Sequence, residues 1–282
     1  MSDMFNREEA DRMAAEWRYI ITDMICQAGS GHIGGALSLV EVMHTLYFRS
    51  MHVDPDNPAD PTRDRLVLSK GHAAPVLYVA LAYKGFFPAN LLGTMNADGT
   101  TLPSHADART VPGIDATTGS LGQGLSVACG MATAAKMGGG EHHIFCIIGD
   151  GETNEGQNWE AGMFAAHNDL DNLVAITDYN KLQIDGFTDD VLSLEPLADK
   201  WRAFGWEVFE MDGHDWDDIN CTIEKAKAVE GKPAMILAHT IKGKGCCKVE
   251  NTAGSHNIKV PDQEAYDGFM GALDVQDVTL PY

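Results

Sequence analysis

The sequence predicts an α/β fold, a parallel sheet flanked by helices, on three observations. From Gly119 onward, short apolar runs alternate with helix-length amphipathic stretches, as a sheet built from strand–helix–strand units requires. The run Ile144-Phe145-Cys146-Ile147-Ile148 reads as a buried strand and is followed at once by Gly-Asp-Gly. The chain has 282 residues, 44% of them hydrophobic, with 29 glycines, which suits one large α/β domain. Residues 1–282 are therefore expected to form a single domain with an N-terminal helical extension.

Each element follows from its pattern. Met13, Trp17, Ile20, Ile21, Met24 and Ile25 recur at helical spacing, and that helix is expected to stop near Gly29. Leu39, Val42, Met43, Leu46 and Tyr47 mark a second helix, and a Pro- and Asp-rich loop leads to a short strand over 65–69. A helix over Ala74–Tyr83 follows. Residues 85–118 are only weakly periodic, and a loop of that length points to function. The regular part then reads as helix 121–137, strand 143–148, helix 157–168, strand 172–177, helix 196–204, strand 206–211, helix 215–229 and strand 234–239.

Composition narrows the function. A formal net charge of −21 disfavours nucleic acid and anionic membrane surfaces as partners, because both attract basic proteins. Any anionic ligand then needs a local pocket of N–H groups, cations or metal. The six cysteines have no metal-ligand spacing and read as core thiols of a reducing compartment. No stretch approaches the 18 or more apolar residues of a membrane span, and the charged start MSDMFNREEADRM lacks a hydrophobic signal region. A cytoplasmic location is expected.

In parallel sheets, ligands collect beyond the carboxyl ends of the strands. The distinctive stretches fall there: Lys70-Gly71-His72, Gly149-Asp150-Gly151, Asp178-Tyr179-Asn180 and Thr240-Ile241-Lys242-Gly243-Lys244-Gly245. Asp150 and Asn180 are thirty residues apart, one strand–helix–strand unit, so both can face one crevice. One carboxylate, one amide oxygen and one backbone carbonyl suit Mg²⁺ or Ca²⁺ and leave positions for phosphate oxygens and water. A diphosphate ligand fits such a set. Taken singly, Gly-Asp-Gly is also ordinary turn chemistry, and Asn180 alone reads as an Asx-turn.

With these motifs in view, the sequence resembles the transketolases. The resemblance covers most of the chain: GSGHIGG (29–35), SKGHA (69–73), LPSHAD (102–107), TTGSLGQGLS (117–126), GDGETNEG (149–156), DYNKLQIDG (178–186), TIKGKG (240–245) and GSH (254–256). It implies the thiamine diphosphate-binding fold, with thiamine diphosphate held through Mg²⁺, or Ca²⁺ or Mn²⁺ in its place. It further implies that Asp150, Asn180 and the carbonyl of Leu182 are metal ligands, and that Gly119, Leu121 and Gly151 contact the cofactor. Gly119 would belong to a glycine-rich stretch opening a helix whose N–H groups favour anions. His72 and His256 match residues near the diphosphate and reacting centre, and His32 and His105 match histidines of the substrate channel. Glu155 matches a glutamate linking the two cofactor sites, and Lys242 a basic residue found there in some members.

The implied activity is transfer of a two-carbon glycolaldehyde unit from a ketose to an aldose. The remaining histidines, His44, His52, His142, His143, His167, His214 and His239, match no motif and read as surface or packing residues. Two departures bear on substrate preference: Ile33 stands where the family often has Pro, and the residues after His256 lack the usual His-Gly-Pro-like pattern. A full-length transketolase continues into further domains, so the chain is expected to be the N-terminal subunit of a split enzyme. Its expected partner is a C-terminal subunit carrying the pyrimidine-binding domain, joined in a heterotetramer. An exposed half-site should also leave apolar surface for that partner. The readings set against this one are the α subunit of a 2-oxo acid dehydrogenase or decarboxylase, which the four histidines oppose, and a non-catalytic paralogue.

Overall fold

The computed structural model describes residues 5–275 and 278–282; the first four residues of the charged N-terminus lie outside them. The strands are β1 (Ser30–Gly31), β2 (Arg65–Leu68), β3 (Ile144–Gly149), β4 (Leu173–Tyr179), β5 (Glu207–Asp212), β6 (Ala234–His239) and β7 (Ile258–Lys259). The helices are α1 (Arg7–Gln27), α2 (Ile33–Leu37), α3 (Val40–Thr45), α4 (Ala74–Lys84), α5 (Gly124–Met137), α6 (Gly156–His167), α7 (Thr188–Val191), α8 (Leu197–Ala203), α9 (Trp216–Lys227) and α10 (Gln263–Met270). The five longer strands form a parallel sheet in the order β2-β3-β4-β6-β5, while β1 and β7 pair antiparallel.

The two-residue period of the strands divides the core. Phe145, Ile147, Val174, Ile176 and Ile236 face α1, α3, α4 and α9, whereas Ile144, Cys146, Ile148, Ala175, Met235 and Leu237 face α5, α6 and α8. Burial on both faces is why these strands are apolar throughout. Helices α6 and α8, which follow β3 and β4, pack on one face; α10, which follows β6, packs with α1 on the other. Neighbouring strands β4 and β6 therefore send their loops to opposite faces, and this opens a crevice at their carboxyl ends.

The expected strands and long helices are present with shifted ends. The helix expected over 121–137 opens at Gly124. The second helix is split, with α3 continuing into a π-turn over Leu46–Ser50. The β1–β7 pair, α2, α7 and α10 are too short to leave a periodic pattern in the sequence. Residues 85–118 form turns and one 3₁₀ segment, Ala89–Thr94, pinned by the buried side chains of Leu92, Leu102 and Val111. Cys26, Cys129, Cys146 and Cys246 are buried, but Cys221 and Cys247 are exposed and so are not core thiols. Cys221 lies on the outer face of amphipathic α9, and Cys247 at a turn.

Candidate active site

Four loops bring the histidines together at the carboxyl edge. His32 precedes α2, His72 sits on the 3₁₀ turn Gly71–Ala73 after β2, and His256 closes the 3₁₀ turn Ala253–His256. His105 comes from the long loop, which the Tyr78 hydroxyl holds by donating to the Pro103 carbonyl at 2.7 Å. The ring of His32 lies 5.1 Å from His72, 5.5 Å from His105 and 5.1 Å from His256, and His72 is 5.0 Å from His256. The turn that carries His72 packs closely on Thr118 and needs Gly71, because a Cβ there would lie 2.5 Å from the Thr118 carbonyl oxygen. Burial, with the neighbouring lysine and histidine charges, lowers the His256 pKa to about 4 and holds His72 well below the usual histidine value. His32 is lowered by burial and by His105, and His105 by burial. At neutral pH these rings are uncharged, each with one N–H donor and one lone pair.

Beside them a cavity of about 200 Å³ is lined by His72, Leu121, Asp150, Gly151, Glu155, Asn180, Leu182, Lys242 and His256. Larger hollows elsewhere, including one at the amino ends of β2 and β3 lined by Arg65, Asp115 and His142, lack this convergence of chemistry. Asp150 is 2% exposed; its carboxylate accepts from the Gly151 N–H at 2.7 Å and the Lys181 N–H at 2.5 Å. Asn180 Oδ1 accepts from the Leu182 N–H at 3.1 Å, and the Leu182 carbonyl accepts from Lys242 Nζ at 3.2 Å. Glu155 is exposed at the mouth, against Gly122. Gly119 lies beside His105, where a Cβ would stand 3.2 Å from its ring.

The helix-terminus expectation for Gly119 needs correction. Gly119 lies five residues before α5, and two N–H groups at the helix entrance already have protein acceptors. Gly122 donates to Glu152 at 2.8 Å and Gly124 to the Ser69 hydroxyl at 3.1 Å. Cationic side chains line the crevice as well. Lys242 is buried, and burial together with Lys70 lowers its pKa to about 8, so it remains a cation at neutral pH.

Three buried charges, to which the sequence alone assigns no role of their own, join the site, although each lies within one of the motifs. Lys70 pairs with Asp178 beneath the cavity and donates to the Gly35 carbonyl at 2.9 Å. Asp178 also accepts from Ser38, Thr240 and Asn180. Glu152 accepts from the Gly122 and Gly149 N–H groups and the Ser69 hydroxyl, which fixes the Gly-Asp-Gly turn. The signal for Asp178 is present: a carboxylate ending an otherwise apolar strand must find partners. His214, expected to be a surface or packing residue, is hydrogen-bonded through both ring nitrogens to Glu41 and to the Ile241 N–H.

The donor set fits a hard cation next to a diphosphate. Burial and the Asp178 charge push Asp150 up to about 7, and among the described residues it makes no ion pair, so a cation would stabilise its charge. Among those residues no three His, Cys, Asp or Glu side chains are grouped to hold a metal. A cation here must therefore draw on the Asn180 amide, the Leu182 carbonyl and ligand oxygens.

Comparison with known proteins extends this geometry. Residues 9–267 match the family model of the transketolase thiamine diphosphate binding domain. Over 246 residues the chain is 56% identical to the 6-deoxy-6-sulfo-D-fructose transketolase subunit SqwG of a Clostridium species, covering 87% of this chain and 90% of the relative. It is 44% identical over 247 residues to an apulose-4-phosphate transketolase subunit of Phocaeicola vulgatus, covering 88% and 87%. The crystal structure of Campylobacter jejuni transketolase superposes with a TM-score of 0.87 at 31% identity, over 98% of this chain and 45% of that one. The chain spans less than half the length of that transketolase and 40% of human transketolase-like protein 2, to which it is 39% identical over 256 residues. These similarities favour the transketolase reading over both the silent paralogue and the 2-oxo acid dehydrogenase component. Among the described residues, no helix is long and apolar enough to cross a membrane.

Proposed function

The chain belongs to the transketolase family, and on that premise we propose that it is the subunit holding the thiamine diphosphate of a two-polypeptide transketolase. The observation that carries this reading is the four-histidine cluster bordering a cavity that also holds Asp150, Asn180, Leu182 and Lys242. Thiamine diphosphate, when bound, supplies the nucleophile and electron sink for breaking the ketose bond between C2 and C3. Asp150, Asn180 and the Leu182 carbonyl hold Mg²⁺ or an equivalent divalent ion, and His72, Gly119, Leu121, Gly151, Lys242 and His256 border the cofactor.

His32 and His105 donate N–H groups to the sugar oxygens, and the neutral rings of His72 and His256 take up and return protons as C–O bonds change order. Two carbons leave the ketose and join the aldose, so no external oxidant or reductant is consumed. Glu155, at the mouth, faces the partner. That partner carries the pyrimidine-binding domain, and the assembly is a cytoplasmic heterotetramer. The chain acts as one domain over 1–282. The names of the relatives support a ketose with an anionic tail, and the identity to the sulfofructose enzyme makes a sulfonated ketose the first donor to assay.

The test is reconstitution. The chain, alone and with its partner subunit, receives thiamine diphosphate, Mg²⁺, a panel of sulfonated and phosphorylated ketoses and an aldose. Two-carbon transfer by the pair and none by the chain alone is expected; robust turnover without a partner overturns the split-enzyme reading.

A further inference from the structure

Glu41 ends two hydrogen-bonded arms that grip the loop after β6 at either end. Its Oε1 takes the Arg18 guanidinium at 2.5 Å, and Arg18 Nε donates to the Lys244 carbonyl at 3.0 Å. Its Oε2 lies 3.1 Å from His214 Nδ1, and His214 Nε2 lies 2.9 Å from the Ile241 nitrogen. A backbone N–H only donates, so Nε2 must accept. The ring proton therefore sits on Nδ1 and is donated to Glu41. Side-chain exposures of 9% for Glu41, 10% for Arg18 and 13% for His214 show that these bonds face little competition from water.

Between the gripped ends lies Lys242, whose ammonium lines the candidate site. We propose that Glu41, with His214 and Arg18 as its arms, is a positioning clamp that holds the Ile241–Lys244 loop so that Lys242 meets the diphosphate of the cofactor. This rests on the function proposed above. None of the three clamp residues lines the cavity, so they act through the loop and are not catalytic residues. The loop leaves β6 with a bond from the Thr240 N–H to the Tyr179 carbonyl at 3.4 Å, and Gly243 then turns it at φ +78°. Midway, the Gly243 N–H donates to the Gly34 carbonyl at 3.0 Å and the Asn251 N–H to the Lys242 carbonyl at 2.7 Å, so the two arms of Glu41 fix the ends of a loop already tied at its centre.

The geometry separates two conservative substitutions. A Gln amide reaches as far as Nε2 and can accept from the Ile241 N–H; an Asn amide reaches only as far as Nδ1 and serves Glu41 alone. For the reconstituted enzyme, calorimetry should show H214Q binding thiamine diphosphate within about twofold of wild type and H214N about tenfold more weakly, a typical loss for an outer partner. Hydrogen exchange on the cofactor-free chain should show residues 240–245 opening in H214N and staying protected in H214Q, with thermal midpoints matched. R18K, which frees the Lys244 carbonyl, should loosen the same segment from its other end and decides the matter should H214N not fold. Equal behaviour of H214Q and H214N, or unchanged protection in R18K, overturns the clamp. If wild type binds no thiamine diphosphate, the proposed function fails, while the exchange measurements still judge the clamp.

Discussion

Lys70 and Asp178 form an ion pair beneath the candidate site with side-chain exposures of 3% and 0%. Burial would raise the Asp178 carboxyl, but Lys70 and the donating hydroxyls outweigh it and keep its pKa low. Removing one partner of such a pair leaves an uncompensated buried charge, at a cost of about 3–5 kcal/mol. Lys70→Met should therefore lower stability by that amount in urea denaturation. The double variant with Asp178→Asn should recover part of it; additive losses in the double-mutant cycle would refute the coupling.

Asp150 supplies the sole carboxylate of the proposed cation set. Asp150→Ala should abolish metal-dependent binding of thiamine diphosphate, because only neutral oxygens and the ligand's own charge remain. Calorimetry on the reconstituted pair, with and without Mg²⁺, checks this; an unchanged affinity sinks the metal assignment.

His32 and His105 belong to the cluster but do not line the cavity. His32→Ala and His105→Ala should lower kcat or raise the ketose KM by about 10²-fold, leaving cofactor affinity within a factor of two or three. Cofactor loss in a folded variant would mean that these rings belong to the diphosphate.

The contributions of two histidines and of Glu41 to stability should be lost in two stages as pH drops, while Asp150, pushed up to about 7, contributes in the opposite sense between about pH 7 and 4. His44 is stacked on Phe48, and burial, with the Arg49 charge, lowers its pKa to about 4; His256 is lowered to about 4 as well. The unfolded chain takes up these protons first, so the contribution is complete above about pH 6.5 and is lost between there and pH 4. Burial would raise Glu41, but Arg18 and His214 outweigh it and hold it at about 2. Its contribution is complete above about pH 4.5 and is lost toward pH 2. Urea midpoints of wild type and His44→Phe at pH 7, 5.5 and 4, read as differences between the two so that Asp150 cancels, test the first stage, and midpoints at pH 4 and 3 test the second. His44→Phe should shrink the first stage by up to about 3 kcal/mol.

Ile184, on the lining of the cavity, and Leu192, farther along the same segment, are each 60% exposed, and Phe187 between them is 47% exposed. Apolar exposure next to a site suits a partner surface. Combining Ile184→Asp with Leu192→Asp should weaken binding of the partner by at least tenfold, on the order of 1.4 kcal/mol, as read by analytical ultracentrifugation. Undiminished association would place the interface elsewhere.

The strands are legible because burial on two faces makes them apolar throughout, and their ends locate the site loops. Asp150, Asn180 and the four histidines stand out because polar residues at strand ends have little structural work to do. Lys70, Asp178 and Glu152 are harder to read, since each is explained by partners from distant segments. His214 escapes a sequence reading for the same reason: its two contacts, Glu41 and Ile241, lie 173 and 27 residues away. Helix α10 is short, and its start is marked chiefly by Asp262 accepting from the Ala265 N–H. The α5 boundary shifts because Gly122 and Gly124 are tied to Glu152 and Ser69 before helical bonds begin.

Asp178 gathers Ser38, Lys70 and Thr240 across sequence separations of 140, 108 and 62 residues. On a ribosome, the chain therefore has no floor to its cavity until Thr240 has emerged, because the carboxylate waits for its last donor. Contacts of such long range close slowly, and the desolvation of Asp178 is offset only when all of them are made. The site is thus assembled late and as a unit, and a nascent fragment ending before β6 has no finished crevice in which to trap the cofactor.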